Sequence, residues 1–301
     1  MAELRGRQHD GRTGITKRIF KGALGVPFSF PVIIESHPLW LALKRSINMK
    51  LTTKQTIVIT NSGLSVSLLL CLLVIFGLIL SSCSRENVHG SGRMVTEERA
   101  VGRFEDITLE GPLQVHLEQD QRVPVVIEAE DNVMRFVETF VNGTTLHVKI
   151  RNNVNLKSFR PINVYVQNDE FRRIIFSGSG SLTANDTITS TLFSYEINGS
   201  ADARLKLDAN EVELIVNGSG DMEVEGRAGD YRAEINGSGD INAIGLQVEN
   251  ARIRISGSGE QRIWVLDLLD ARITGSGNIR YKETPGTVNT SINGSGKVIK
   301  L

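Results

Sequence analysis

Thiols, aromatic side chains and net charge are what this sequence has least of. Its 301 residues include two cysteines, Cys71 and Cys83, and both fall inside or at the edge of an uncharged stretch. The chain after Ser84 therefore has no thiol, which excludes disulfides and Cys-zinc sites there. Five histidines are scattered along the chain. No spacing joins His89, His116 and His147 into a ligand set or a nucleophile-activating pair. The formal net charge of zero hides a division. Residues 1–54 carry ten Lys/Arg against three Asp/Glu, residues 56–84 carry no charge, and the rest holds 24 bases against 31 acids, a net of −7. So acidic a body excludes nucleic acid as a partner, because phosphate backbones demand an excess of Lys and Arg.

What is present begins with a delivery segment. Lys50 and Lys54 precede the apolar run Leu64 to Leu80, which closes on Leu80-Ser81-Ser82-Cys83. A positive flank, an apolar core and small residues before a cut are the plan of a secretory signal peptide. The closing quartet resembles the bacterial lipobox, and that resemblance implies cleavage before Cys83 and diacylation of its sulfur. Cys71 is no competitor, since Leu70 stands where a small residue is needed. The alternative is an inner-membrane anchor, because the 17 residues 64–80 are just long enough to span a bilayer. Met49 directly precedes Lys50, so residues 49–82 have the proportions of a lipoprotein signal peptide and residues 1–48 read as an upstream extension. If the anchor reading held instead, 1–48 would be a basic cytoplasmic tail. Residues 83–98, polar and glycine-containing, suit a flexible tether between lipid and folded body.

The folded body carries a repeat. Gly-Ser-Gly, preceded by Ser, Asn or Thr, recurs at Gly178, Gly199 (with Ala201 replacing the second glycine), Gly218, Gly237, Gly257, Gly275 and Gly294. The intervals are 21, 19, 19, 20, 18 and 19 residues, a near-constant period that signals a stacked architecture. Two positions before each first glycine stand Phe176, Ile197, Val216, Ile235, Ile255, Ile273 and Ile292, all large and apolar. Four positions before stand Ile174, Tyr195, Leu214, Ala233, Ile253, Ala271 and Thr290, with mostly polar residues between the two columns. Such alternation is a half-buried strand ending at every motif. A second strand follows, aligning Leu182, Ala203, Met222, Ile241, Gln261, Ile279 and Val298. Repeats this short bury no core alone; stacked, their inward columns become continuous ladders, which predicts an all-β solenoid over 99–301. Residues 99–176 lack the motif but alternate as strands, with a turn at Asn142-Gly143, and read as first coils and a cap.

The corner glycines have a backbone role, and Asn198, Asn217 and Asn236 are expected to stack coil on coil. Outward columns should pair charges between coils, Glu213 with Arg232 and Glu234 with Arg254. After each corner an acid recurs, Asp202, Asp221, Asp240 and Glu260, a row that could attract a divalent cation or simply form a solvated face. No serine of the repeated turns has a companion histidine, so the chain reads as non-enzymatic and without a cofactor. A carbohydrate-active enzyme is the remaining catalytic alternative, since some β-helices are polysaccharide lyases. Asp186-Thr187-Ile188 resembles a bacterial O-glycosylation triplet. Trp264, Leu266, Leu268 and Leu269 break the alternation, as core at a bent corner or as an apolar patch for a partner.

The serial Asn-Gly-Ser-Gly-Asp corners, with the opening Phe104-Glu105-Asp106-Ile107, resemble the head GIN domain family of autotransporter-adhesin heads and lipoproteins of Gram-negative bacteria. The resemblance covers about residues 99–301 and implies a right-handed, single-stranded β-helix with coils of about 19 residues. The family name suggests adhesion, and together with the lipobox the chain reads as a lipid-anchored cell-envelope scaffold at the outer membrane that binds a glycan or protein, with a purely structural envelope lipoprotein as the alternative. No membrane barrel of an autotransporter follows the repeat in this sequence.

Overall fold

The computed structural model describes residues 86–301 except Ser158. Cys83, the apolar run 64–80 and residues 1–48 lie outside the described residues. What is described is all-β apart from a single helical turn, α1 (Asp131–Met134).

The repeat forms long, extended stretches that bend at the corners: β10 (Arg173–Gly218), β11 (Met222–Gly237), β12 (Ile241–Gly257) and β13 (Glu260–Gly275), then β14 (Asn278–Lys282), β15 (Thr287–Gly294) and β16 (Lys297–Lys300). β10 to β14 each pair in parallel with the next, β15 pairs in parallel with β13, and β16 with β14. Between β10 and β11 every partner is offset by the repeat length, from Ala203↔Met222 to Gly218↔Gly237. Between β12 and β13 the register slips where Ile244–Leu246 bulge, and the shorter spacing that follows absorbs the extra residues.

Inside, the predicted columns meet. Phe176, Ile197, Val216, Ile235, Ile255 and Ile273 are buried, as are Leu182, Ala203, Met222, Ile241 and Ile279. Ile292 departs from expectation, being 45% exposed. Its strand β15 pairs with β13 on one side and has no further rung on the other among the described residues. Ile197, Val216, Ile235, Ile255 and Ile273 are each roofed by the second glycine of the following motif; at Gly277, for example, a Cβ would sit 2.7 Å from Ile255 Cγ2. Ile292 lacks that roof.

The corners explain themselves at Gly237. Its φ is +143°, and a Cβ there would overlap the carbonyl oxygen of Gly218 one coil before. That same oxygen accepts hydrogen bonds from the Ser238 and Gly239 amides at 2.9 and 3.2 Å. Both the backbone angle and the closeness of stacked coils therefore require glycine.

The region before the repeat is organised differently from a simple continuation of coils. β3 (Asp106–Glu110) and β4 (Leu113–Gln119) pair in parallel with the start of β10. The next rung outward comes later in the chain, from β7 (Thr145–Ile150) and β9 (Ile162–Asn168). Rung order is thus not sequence order here. Antiparallel partners close this end: β6 (Val137–Asn142) forms a hairpin with β7 through the predicted turn at Asn142-Gly143, and β5 (Val125–Glu130) lies against β9. The expected tether of residues 83–98 is corrected over 86–98. β1 (Glu86–His89) pairs with β8 (Val154–Lys157), and β2 (Met94–Arg99) pairs with β5. Val88 supplies a buried side chain, and Asn132 Nδ2 donates to the His89 carbonyl at 2.6 Å, so polar composition did not prevent docking.

Candidate functional site

The strand after each corner points alternate side chains outward, and successive coils bring them into columns. The columns of Asp202, Asp221, Asp240 and Glu260 and of Thr183, Arg204, Glu223, Asn242 and Arg262 together line an open trough of about 510 Å³. Its acids are tied into the backbone. Asp202 Oδ1 accepts the Asp221 amide at 3.3 Å, Asp221 Oδ1 the Asp240 amide at 3.0 Å, and Asp240 Oδ1 the Glu260 amide at 2.6 Å. Glu260 ends the row between Arg262 (2.6 Å) and Arg280 (2.8 Å). Burial works against ionisation of Glu260, but hydrogen bonds from Arg280 and Arg262 outweigh it and hold the carboxyl below its usual range. Among the described residues, no group of three or more His, Cys, Asp or Glu is placed to hold a metal ion. The row is a ladder of backbone caps with one oxygen of each aspartate engaged.

Flanking columns pair opposite charges along the stack: Arg204 with Glu223 (3.2 Å), Lys206 with Glu225 (3.2 Å) and Arg227 with Asp208 (2.8 Å). On the strand leading into the corners, Glu213 meets Arg232 at 3.3 Å as expected. The Glu234–Arg254 pair does not form, although the two residues are in register. Glu234 instead accepts a hydrogen bond from Asn236 at 3.2 Å. The asparagine ladder does form, with Asn217 donating to Asn198 at 2.9 Å and Asn236 to Asn217 at 3.0 Å.

Two of the described histidines stack on aromatic rings, His116 on Tyr165 with centroids 4.8 Å apart and His147 on Phe140 at 4.9 Å, while His89 is exposed. Asp186 and Thr187 are exposed, within β10 in the first, 21-residue interval. The apolar stretch after Ile263 is divided: Val265 and Leu269 are buried, Trp264 and Leu268 half-buried, and Leu266 is 43% exposed. Lys282 Nζ lies 3.7 Å from the Trp264 ring centroid. This is bent-corner core with one outlying leucine.

Sequence alignment of the repeats missed one polar element. Gln261 occupies an inward column and is fully buried; its Oε1 accepts the Tyr231 hydroxyl at 3.3 Å and its Nε2 donates to the Arg262 carbonyl at 2.9 Å. A glutamine among Leu, Ala, Met and Ile was the available signal.

These stacked corners and columns coincide with a family match over residues 103–285, described as "Putative auto-transporter adhesin, head GIN domain". The chain belongs to the head GIN domain family. Solved structures agree at the level of fold. The GIN-domain chain resembles a "putative adhesin" from Bacteroides fragilis (21% identity, TM-score 0.67, covering 71% of this chain and 100% of that one). It also resembles a "putative lipid binding protein" from Parabacteroides distasonis (24%, TM-score 0.62, 72% and 100%) and a "putative adhesin" from Parabacteroides merdae (24%, TM-score 0.58, 72% and 99%). No curated protein matches the chain. Family membership suggests a protein of the cell envelope or surface.

Proposed function

We propose that this GIN-domain protein is a cell-envelope binding scaffold of the adhesin type. It is a right-handed, single-stranded β-helix with coils of about 19 residues, held at the outer membrane by a lipid on Cys83, and it presents its side-chain columns to a glycan or protein. The parallel register at a near-constant offset supports the helix, and the hand follows from the twist preference of parallel crossovers. The small-small-Cys ending of the apolar run supports the anchor.

One observation carries the functional reading: the trough is open, polar and assembled from several consecutive coils, with its acids used as caps rather than aimed at a common point. An extended ligand fits such a surface better than a reacting bond does, since catalysis needs converging acid, base and electrophilic groups. Glycan arrays and whole-cell retention on host matrix test the reading. Retention by a defined sugar or protein is expected. A protein that reaches the cell surface, as judged by protease accessibility on intact cells, yet retains nothing would leave a purely structural lipoprotein. Release of cleaved sugars would replace both by an enzyme.

A further inference from the structure

Charge pairing along the stack breaks down at one place. On the outer face of the strands leading into the corners, Arg232 is registered against Arg252, and Arg254 against Arg272. Neighbouring rungs lie about 4.8 Å apart, so both are like-charge neighbours, an arrangement that costs stability in a sheet. All four arginines are exposed. Arg232 reaches back to Glu213, and Arg272 folds onto Asp270 of its own strand at 3.1 and 3.3 Å. The Arg252 and Arg254 side chains make no ion pair or hydrogen bond among the described residues. Glu234, the remaining acid on the patch, turns to Asn236. A shallow groove of about 140 Å³ runs between these side chains. Four guanidinium groups against three carboxylates, Glu213, Glu234 and Asp270, thus form a positive spot on a body whose net charge is −7.

We propose that this face binds the acid groups of an anionic polysaccharide lying along the stack, with Arg252 and Arg254 as primary contacts and Arg232 and Arg272 completing the site. The inference rests on the binding-scaffold reading and names its ligand class. An unpaired guanidinium presents a planar fork that matches a carboxylate or sulfate in two hydrogen bonds. The positive charges recur rung by rung along one direction, as acid groups do along a sugar chain. Arg232, Arg252, Arg254 and Arg272 share their groove with Glu234 and Asp270 and with no aromatic ring for a base to stack on, which argues against single-stranded nucleic acid. The apolar side chains lining that groove, Ala233 and Ile253, are buried, which argues against insertion into a lipid surface.

The test uses the full-length protein in detergent and four probes: polygalacturonate (carboxylate only), dextran sulfate (sulfate only), neutral dextran, and phosphatidylglycerol vesicles. Calorimetry should show binding of at least one acidic polymer and none of neutral dextran. The R252Q/R254Q variant should lose about tenfold or more in affinity. K206Q/R227Q, which removes the same charge from columns outside both the trough and this groove, should bind as the parent does. Because a like-charge contact is relieved, R252Q/R254Q should melt no lower than the parent, which separates lost binding from lost folding. Binding of the acidic polymers that survives in R252Q/R254Q, or binding of vesicles alone, overturns the proposal. Retention of neutral glycans by parent and R252Q/R254Q alike sinks the proposal yet leaves the scaffold reading standing, whereas no retention of any glycan or matrix protein sinks both.

Discussion

Replacing Gly237 by alanine puts the stacking of coils to a quantitative test. The backbone at φ +143° is one that an L side chain rarely adopts, a strain of about 1–3 kcal/mol. The new Cβ would also overlap the Gly218 carbonyl oxygen and stand 3.0 Å from its carbon, so the coils must separate locally. Separation endangers the bonds from Ser238 N and Gly239 N to Gly218 O and from Ser258 N to Gly237 O. Each contributes about 0.5–1.5 kcal/mol net. Losing two of the three with the strain gives about 2–6 kcal/mol. Gly143→Ala is the internal control: φ is +62° in the hairpin turn and a Cβ meets nothing within 4 Å, leaving backbone strain of about 1 kcal/mol. Urea denaturation compares the variants, and hydrogen exchange at the flanking coils locates the damage, since repeat arrays need not unfold in one step. If G237A proved no more destabilising than G143A, close stacking would not be what demands glycine at the corners.

Further predictions concern the interior and its charges. Tyr231→Phe should destabilise by about 1–3 kcal/mol, because Gln261 Oε1 is left buried without a donor, and adding Gln261→Leu should recover part of the loss in a double-mutant cycle. Tyr195→Phe should be neutral or stabilising by about 1 kcal/mol in the same denaturation assay, since that buried hydroxyl has no partner. Ile255→Ala should cost about 2–5 kcal/mol, whereas Ile292→Ala, at a half-open position, should cost well under that. The Glu260 carboxyl is held below its usual range, so its contribution to stability is present above the ordinary glutamate pKa and is lost as pH falls through the lowered folded value. Melting curves of the parent and Glu260→Gln should accordingly differ near neutrality and converge in acid; a gap that widened on acidification would contradict the assigned direction.

Local periodicity makes much of this protein legible in its sequence. A strand alternates with period two and a coil returns after about 19 residues, so the columns from Phe176 to Ile273 and the corner glycines follow from spacing alone. The pairs that lie one repeat apart, such as Glu213 with Arg232 and Asn198 with Asn217, follow for the same reason. The proposed signal peptide and lipid anchor likewise rest on residue order alone, because signal peptides are read as linear patterns.

Other features depend on which surfaces meet, and spacing does not encode that. The rung formed by β7 and β9 lies beyond the rung formed by β3 and β4, and strands without a motif carry no marker of their partner. Residues 86–98 look like linker in composition, yet hydrogen bonds to β8 and β5 hold them in strands. Ile292 has the same sequence context as Ile255 but no further rung covers it among the described residues, so its exposure is set by its neighbours rather than by its context. Glu234 and Arg254 are one repeat apart and still do not pair, because Asn236 competes for the carboxylate. The lone Arg252 and Arg254 therefore emerge only when every neighbour's partner is known: sequence determines the columns, and the folded surface decides which charges within them remain unmatched.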